Sequence, residues 1–340
     1  MPEHTLGAYK LAVEQGADFI ECDVVLTKDC KPICRHEPDI SQTTDAMQKY
    51  PGRMRNATID GQTLEGIFAT DFTLKEIKTL RALQPRSYRN QKYNGLYSIP
   101  TLQEYIETAQ AASRPVGVYP ETKHPTWHAA QNLTCLEGSN ITSLVLQVLV
   151  EYGYGADLGS SEWRRKPAFI QSFEENNLKW LSQHTKIPLL QLMEDTHLRT
   201  ADTNVSYGAM MSDAGLATIA QYAQGIGPWK GSMLPANGSE IAAGRGLGAR
   251  AHAHGLLVHP YTFRDDPSLL NARWHGNSRL EYEYFLSQEG IDGAFTDFPA
   301  TLAAVLTDRQ APQAVRATNT ARSLSKAAYN FAMRQSMAEI

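Results

Sequence analysis

The stretch of sequence that decides the fold is ADFIECDVV, residues 17–25. It follows a helical pattern over residues 5–15, which Gly16 ends, and it is rich in aromatic and β-branched residues. Such a run indicates a buried strand. Glu21 and Asp23 lie two positions apart within it, and side chains at positions i and i+2 point to the same face of a strand. The sequence therefore predicts two neighbouring carboxylates at the end of a buried strand.

The alternation of helix and strand continues along the chain. Further strand patterns follow helical ones, so that seven strands are predicted near residues 20, 118, 170, 190, 226, 258 and 294. Strict alternation predicts a parallel sheet with crossover helices. We expect an α/β fold of the TIM (β/α)8 barrel type with its first strand missing, because the chain opens on a helix and a barrel needs eight strands. A doubly wound open sheet is the alternative.

Two segments depart from this alternation. Residues 32–36 are predicted to return as a short strand after a turn at Lys28 and Asp29. Residues 37–100 are predicted to form a polar, turn-rich and irregular insert after the second strand, with one helical stretch near 74–83, and long inserts of this kind tend to be functional. We expect a barrel over residues 1–308, followed by a polar tail over 309–340 that is helical or disordered.

Composition restricts the classes of function. The chain has 340 residues, of which 42% are hydrophobic, and a formal net charge of -4. That charge argues against nucleic acid as a partner, because binders of the phosphate backbone have a basic excess. The longest apolar stretch, residues 144–150, is too short for stable membrane insertion. The first residues show no signal peptide pattern.

Two features nevertheless indicate the secretory pathway. The chain has five Asn-x-Ser/Thr sequons, which is more than the number expected by chance, although a chance occurrence remains the alternative. Cys30 and Cys34 could form a disulfide in an oxidising compartment, which the sequence leaves open. The four cysteines fit no common zinc spacing. The sequons begin at Asn56, Asn132, Asn140, Asn204 and Asn237.

The acidic residues at strand ends predict a metal site. Glu21 and Asp23 on one face would repel each other unless a cation lay between them, and carboxylate oxygen is the preferred ligand of hard divalent ions. We favour this interpretation over surface ion pairs. Glu121, at the end of a later strand, could complete the site, and Lys123 could hold phosphate or another anion. His36 could act as a general acid or base.

Weaker candidates lie at other strand ends. Gln171 and Tyr261 also end strands on the presumed catalytic face, where they could contact substrate. His259 lies inside its strand and is as readily a core histidine as a functional one. His124 and His128 are spaced four apart, but the proline between them makes a zinc site a poor interpretation.

Several blocks of the sequence together resemble the glycerophosphodiester phosphodiesterase family. The resemblance lies in the opening residues 2–29, in RHEPDISQTTD at 35–45, in GVYPETKHP at 117–125 and in GIDGAFTDFP at 290–299. The order and spacing of the blocks extend the match from residue 2 to about 306. The sequence is most similar to secreted or periplasmic members, including plant-like extracellular ones.

The resemblance implies a barrel of the phospholipase C-like phosphodiesterase type. It would hydrolyse glycerophosphodiesters, such as glycerophosphocholine, to glycerol 3-phosphate and an alcohol. A divalent cation, usually Ca²⁺ or Mg²⁺, would be held by Glu21, Asp23 and Glu121. His36 would correspond to the second catalytic histidine, and Lys123 to a phosphate-side lysine.

The resemblance also predicts a difference from the family. Its members begin with a strand that ends in His-Arg-Gly, before the segment at which this chain starts. We therefore expect the first catalytic histidine to be missing and the activity of this chain to be impaired. The full-length protein would be secreted, or would lie in the secretory pathway or the vacuole. A phospholipase C- or D-like enzyme for lysolipids and a non-catalytic relative are the alternatives. The alcohol, the cation and the oligomeric state stay open.

Overall fold

The computed structural model describes residues 1–234 and 246–310. Strands and helices alternate through most of this part, as the sequence predicts. The strands are β1 (Phe19–Leu26), β2 (Pro32–Cys34), β3 (Arg55–Ile59), β4 (Gln62–Gly66), β5 (Gly117–Thr122), β6 (Ile170–Ser172), β7 (Leu189–Met193), β8 (Gly225–Pro228) and β9 (Leu257–Val258).

Helices connect these strands and cover the sheet, and none of those described is long and apolar enough to cross a membrane. The α-helices are α1 (Leu6–Glu14), α2 (Ala46–Lys49), α3 (Leu74–Ile77), α4 (Leu102–Gln110), α5 (Pro125–Ala129), α6 (Ile141–Glu151), α7 (Ser161–Arg165), α8 (Glu175–Ser182), α9 (Tyr207–Met210), α10 (Asp213–Ile219), α11 (Lys230–Met233), α12 (Leu247–Ala253), α13 (Ser278–Tyr284) and α14 (Pro299–Gln310).

The main sheet is mostly parallel and follows the order of the chain. Its seven strands lie in the order β2-β1-β5-β6-β7-β8-β9, and only the β1–β2 pair is antiparallel. A doubly wound sheet would reverse its strand order at a switch point. No reversal occurs among the parallel strands described, so the order favours the barrel over the open sheet.

Of the last two predicted strands, one is shorter than expected and the other is not formed. The strand predicted near residue 258 is confirmed over Leu257–Val258 and continues beside β8 only as single hydrogen bonds, since Pro260 has no N–H to donate to a ladder. The strand predicted near residue 294 is not formed. In its place, Thr296 makes one parallel bridge with Phe263.

Helix α4 joins the two strands that carry the predicted acids. The buried Tyr105 hydroxyl donates a hydrogen bond to the carbonyl of Ile20 at 2.5 Å and accepts one from the Tyr119 N–H at 2.8 Å. A capping box at Thr101 and Glu104 fixes the start of this helix. One buried side chain thereby holds β1, β5 and the helix above them together.

The insert of residues 37–100 is more regular than its composition predicts. β3 and β4 form a hairpin around Asp60 and Gly61, both at positive φ. An Asp-Gly pair is a strong signal for a two-residue hairpin turn, so the expectation of an irregular segment was wrong here. The predicted helix is confirmed only over Leu74–Ile77. A hydrophobic cluster that includes Ile40 and Phe72 packs the insert against β1 and β2.

The cysteines pair differently from the candidate pair. Disulfides join Cys22 to Cys34 and Cys30 to Cys135, with Cα–Cα distances of 5.7 and 5.2 Å. The Cys30–Cys34 pair is therefore wrong. Cys34 lies on β2 opposite β1, which brings it to Cys22, whereas Cys30 lies in the turn at a φ of 55°. Two disulfides indicate an oxidising compartment.

Some predictions fall outside the described residues. They include the sequon at Asn237 and residues 311–340 of the predicted tail. Residues 309 and 310 belong to the end of α14.

The two disulfides are expected to stabilise the fold unequally. The Cys30–Cys135 bond closes a separation of 105 residues and the Cys22–Cys34 bond one of 12. On loop entropy, replacing both cysteines of a pair by alanine should lower the free energy of unfolding by about 5 kcal/mol for the first pair and about 3 kcal/mol for the second. Urea denaturation of the two double variants measures both losses. A larger loss for the Cys22–Cys34 pair would contradict this expectation.

Candidate active site

Strand register brings the predicted site residues to one height. Asp23 on β1 lies opposite Glu121 on β5, and Glu121 lies opposite Gln171 on β6. Equivalent positions on neighbouring parallel strands point the same way, so these side chains meet on one face of the sheet. That face opens into a cavity of about 1320 Å³, which all the residues proposed from the sequence line: Glu21, Asp23, His36, Glu121, Lys123, Gln171 and Tyr261.

Lys123 lies between two of the carboxylates. Its Nζ is 3.3 Å from Glu121 Oε1 and 3.8 Å from Asp23 Oδ1, and all three side chains are buried. Gln171 donates from Nε2 to Glu21 Oε1 at 3.2 Å. The Oε1 atom of Gln171 is buried without a hydrogen-bond partner in the described part of the chain. An acceptor of this kind suits a cation, because a cation takes oxygen ligands.

With all three acids ionised, the carboxylate cluster would have more negative than positive charge. Burial raises the pKa of Glu21, and the charges of Asp23 and Glu121 raise it further. Burial also raises the pKa of Glu121, and Lys123 offsets this only in part. Burial alone would raise the pKa of Asp23, but Lys123 and the nearby histidines hold it well below its usual value. One ammonium therefore does not balance the three carboxylates.

His4 belongs to this cluster and the sequence analysis missed it. Its Nε2 lies 2.9 Å from Asp23 Oδ2, and its Nδ1 lies 3.0 Å from the Tyr9 hydroxyl. His4, Glu21 and Asp23 each place one ligand atom within 4.8 Å of the others. The available signal was position, because His4 directly precedes Thr5, which caps the helix leading into β1.

His36 follows β2 at the mouth of the cavity. Its side chain is exposed, its Nδ1 lies 3.0 Å from Glu37 Oε1, and its ring centroid is 6.4 Å from that of His4. The other Glu37 oxygen lies 3.1 Å from His124 Nε2, and His124 Nδ1 lies 2.7 Å from Asp60 Oδ2. The β3–β4 turn of the insert thus reaches the candidate catalytic histidine through two intervening side chains.

The remaining candidates have other partners. The Tyr261 hydroxyl donates to Glu194 Oε2 at 2.7 Å, so its hydrogen-bond partner is an acid other than Glu21, Asp23 and Glu121. His259 Nδ1 lies 3.0 Å from the Tyr119 hydroxyl, and burial lowers the pKa of His259 to about 4. These contacts favour the core interpretation of His259. Pro125 begins α5, so that His128 lies in the helix. His124 precedes the helix and contacts Glu37 and Asp60.

Comparison with known proteins gives the family. The model of the glycerophosphoryl diester phosphodiesterase family matches residues 1–301. The chain belongs to this family. It is 41% identical over 304 residues to the glycerophosphodiester phosphodiesterase GDPD6 of Arabidopsis thaliana, with 89% of this chain and 82% of that protein covered. It is 28% identical over 334 residues to a glycerophosphodiester phosphodiesterase of Haemophilus influenzae, with 88% and 85% covered.

Solved structures agree with the fold of the family. A glycerophosphodiester phosphodiesterase of Agrobacterium tumefaciens has a TM-score of 0.54 at 19% identity, with 89% of this chain and 94% of that chain covered. A phosphodiesterase of Oleispira antarctica, solved with the product sn-glycerol-3-phosphate, has a TM-score of 0.56 at 20% identity, with 90% and 92% covered. The chain is thus a glycerophosphodiester phosphodiesterase with the α/β barrel-type fold of this family.

The charge of His124 is expected to make stability depend on pH. Burial alone would lower the pKa of His124, but Asp60 and Glu37 outweigh it and raise the pKa to about 9. Because this exceeds the unfolded value of about 6.5, the contribution is complete below pH 6.5 and is lost as the pH rises through 9. The free energy of unfolding should therefore fall between pH 7 and 9.5 more steeply in the wild type than in His124→Asn, which tolerates the left-handed backbone at this position.

Urea denaturation at closely spaced pH values measures both profiles. Parallel profiles for the two proteins would contradict a role for the charge of His124.

Proposed function

We propose that this chain hydrolyses glycerophosphodiesters, such as glycerophosphocholine, to glycerol 3-phosphate and an alcohol at the carboxylate cluster. The observation that carries the proposal is the register that sets Asp23, Glu121 and Gln171 side by side, with Lys123 between two of the acids. The names of the relatives support the reaction. The cluster lies in a cavity that is large enough for a small diester.

We infer that Glu21, Asp23 and Glu121 hold a divalent cation. The charge imbalance and the unpartnered Gln171 oxygen fit such an ion, and an all-oxygen donor set suits Ca²⁺ or Mg²⁺. His4 Nε2 is a further donor within reach. The cation would supply Lewis-acid polarisation of the phosphoryl oxygens.

The protein's own groups would divide the remaining work. Glu121 and Asp23 outweigh the effect of burial and raise the pKa of Lys123, so its ammonium stays charged and can offset negative charge that develops on the phosphate. Glu37 contacts Nδ1 of His36, which makes Nε2 the atom that exchanges a proton with the attacking or leaving oxygen. The contacts of His124 with Glu37 and Asp60 would hold Glu37 in place.

Removing one ligand charge is expected to lower metal-dependent turnover strongly. Glu121→Gln keeps the shape of the side chain but not its charge, and kcat/KM for glycerophosphocholine should fall about 10²–10³-fold or more. Titration calorimetry with Ca²⁺ and Mg²⁺ should show weakened binding in the same variant. EDTA should inactivate the wild type, and added cation should restore it.

The matched control is Glu175→Gln, a buried glutamate on α8 that contacts Lys179 instead. Its cation affinity and turnover should stay near those of the wild type. Turnover by the wild type that EDTA does not change would overturn the metal assignment.

We also propose that the protein passes through the secretory pathway. Both disulfides and the exposure of the four described sequon asparagines support this: Asn56, Asn132, Asn140 and Asn204 are all exposed. Protein expressed through a eukaryotic secretory pathway should lose mass on treatment with peptide N-glycosidase, as mass spectrometry would show. An unchanged mass would contradict glycosylation at these sites.

A further inference from the structure

The imidazole of His4 is buried beside the two acids of β1. Its Nε2 lies 2.9 Å from Asp23 Oδ2, and only 7% of the residue is exposed. With Glu21, these residues bring three potential ligand atoms within 4.8 Å of one another. A nitrogen donor therefore lies among the carboxylate oxygens proposed above as cation ligands.

The backbone that carries His4 is strained and is fixed from outside the segment. His4 has a φ of 49°, which lies in the left-handed region that residues with a side chain adopt at a cost in free energy. Two arginines fix the preceding residue, since Arg35 donates to the carbonyl of Glu3 and Arg86 contacts its carboxylate at 2.9 Å. Strain that the surroundings maintain in this way is typical of functional positions.

The second ring nitrogen of His4 has a partner of its own. Nδ1 lies 3.0 Å from the hydroxyl of Tyr9, which is buried. This hydroxyl can accept an N–H from Nδ1, and the lone pair of the imidazole is then on Nε2, on the side of Asp23. A histidine that binds a metal usually donates its other N–H to a neighbouring acceptor, so the contact with Tyr9 fits a ligand.

The neighbouring groups leave room for a cation on this side of the cluster. Lys123 Nζ lies 3.8 Å from Asp23 Oδ1, whereas the other oxygen of the same carboxylate faces His4. The amide of Gln171 donates to Glu21 Oε1 at 3.2 Å, and its own oxygen is buried without a hydrogen-bond partner among the residues described. The ammonium thus serves one oxygen of Asp23, and the second oxygen remains for an ion beside His4.

We propose that His4 Nε2 is a ligand of the divalent cation together with Glu21 and Asp23. The donor set then contains an imidazole nitrogen beside carboxylate oxygens, which suits a transition-metal ion such as Zn²⁺ or Co²⁺ better than Ca²⁺. The inference rests on the proposed function and adds the class of cation that the same site selects.

Binding of Co²⁺ tests the ligand without turnover. Co²⁺ alone is added to the metal-free full chain, and the ¹H NMR spectrum is recorded in H₂O and in D₂O. A histidine that coordinates Co²⁺ gives a strongly shifted N–H resonance that is lost in D₂O, and this N–H would be the one on Nδ1 that faces Tyr9. We expect such a resonance in the wild type and its loss in His4→Asn, which tolerates the left-handed backbone. A chain that binds Co²⁺ without this resonance would overturn the proposal.

The affinities for two cations test the selectivity. In titration calorimetry, His4→Asn should raise the Kd for Zn²⁺ about tenfold or more, since losing even an outer partner of a ligand costs about 10–100-fold. The Kd for Ca²⁺ should change less than about threefold, because Ca²⁺ prefers oxygen ligands. The matched control is His252→Asn, since His252 Nε2 also lies 2.9 Å from an aspartate oxygen, that of Asp292, but outside the cluster. Both affinities should stay near those of the wild type in this control.

A second variant keeps the test decisive if His4→Asn does not fold. Tyr9→Phe retains the packing of the ring and removes only the hydroxyl that faces Nδ1. It should raise the Kd for Zn²⁺ about tenfold. An unchanged Zn²⁺ affinity in Tyr9→Phe would then overturn the proposal.

The outcomes separate this inference from the proposed function. Metal-dependent hydrolysis by a chain whose Zn²⁺ affinity does not change in His4→Asn would overturn the ligand and leave the proposed function standing. A shifted resonance that depends on His4, in a chain that hydrolyses no glycerophosphodiester with any added cation, would support the ligand and contradict the proposed function.

Discussion

The ion cluster around Lys123 is the constraint on which the rest of the site depends. A buried ammonium and buried carboxylates each lose their hydration, and the cost is acceptable only when opposite charges lie close together. Lys123 meets this condition for Asp23 and Glu121, which come from two neighbouring strands. The register of β1 against β5 therefore determines the charge balance as well as the packing, since a slip by one residue would point these side chains to the other face.

The groups at the mouth of the cavity are held by contacts other than the hydrogen bonds of the parallel sheet. The disulfide between Cys22 and Cys34 joins β1 to β2. Cys22 lies between the two acids of β1, and Cys34 lies two residues before His36. On the other side, Glu37 and His124 connect His36 to Asp60 in the hairpin turn of the insert. The candidate proton-transfer group thus has a covalent support from buried cysteines of β1 and β2 and an ionic support that reaches the insert.

Local pattern predicted the parts of the site that lie on regular strands. The i, i+2 spacing of Glu21 and Asp23 and the strand-end positions of Glu121 and Gln171 were enough, because parallel strands bring their ends to one edge. Pairings between distant segments were not predictable in this way. Cys135 lies 105 residues from Cys30, and His4 has no periodic neighbours that mark it as part of the site. The β3–β4 hairpin differs from these distant pairings, because its Asp-Gly turn is a local signal that the sequence contains.

The cavity brings together a charged surface and an aromatic surface. Charged side chains dominate at the ends of β1 and β5, whereas aromatic faces dominate after β6 and β9. Phe173 lies at the boundary, because its ring is near Lys123 on one side and Tyr207 and Tyr261 on the other. A ligand in this cavity would therefore meet charged groups on one side of Phe173 and aromatic rings on the other.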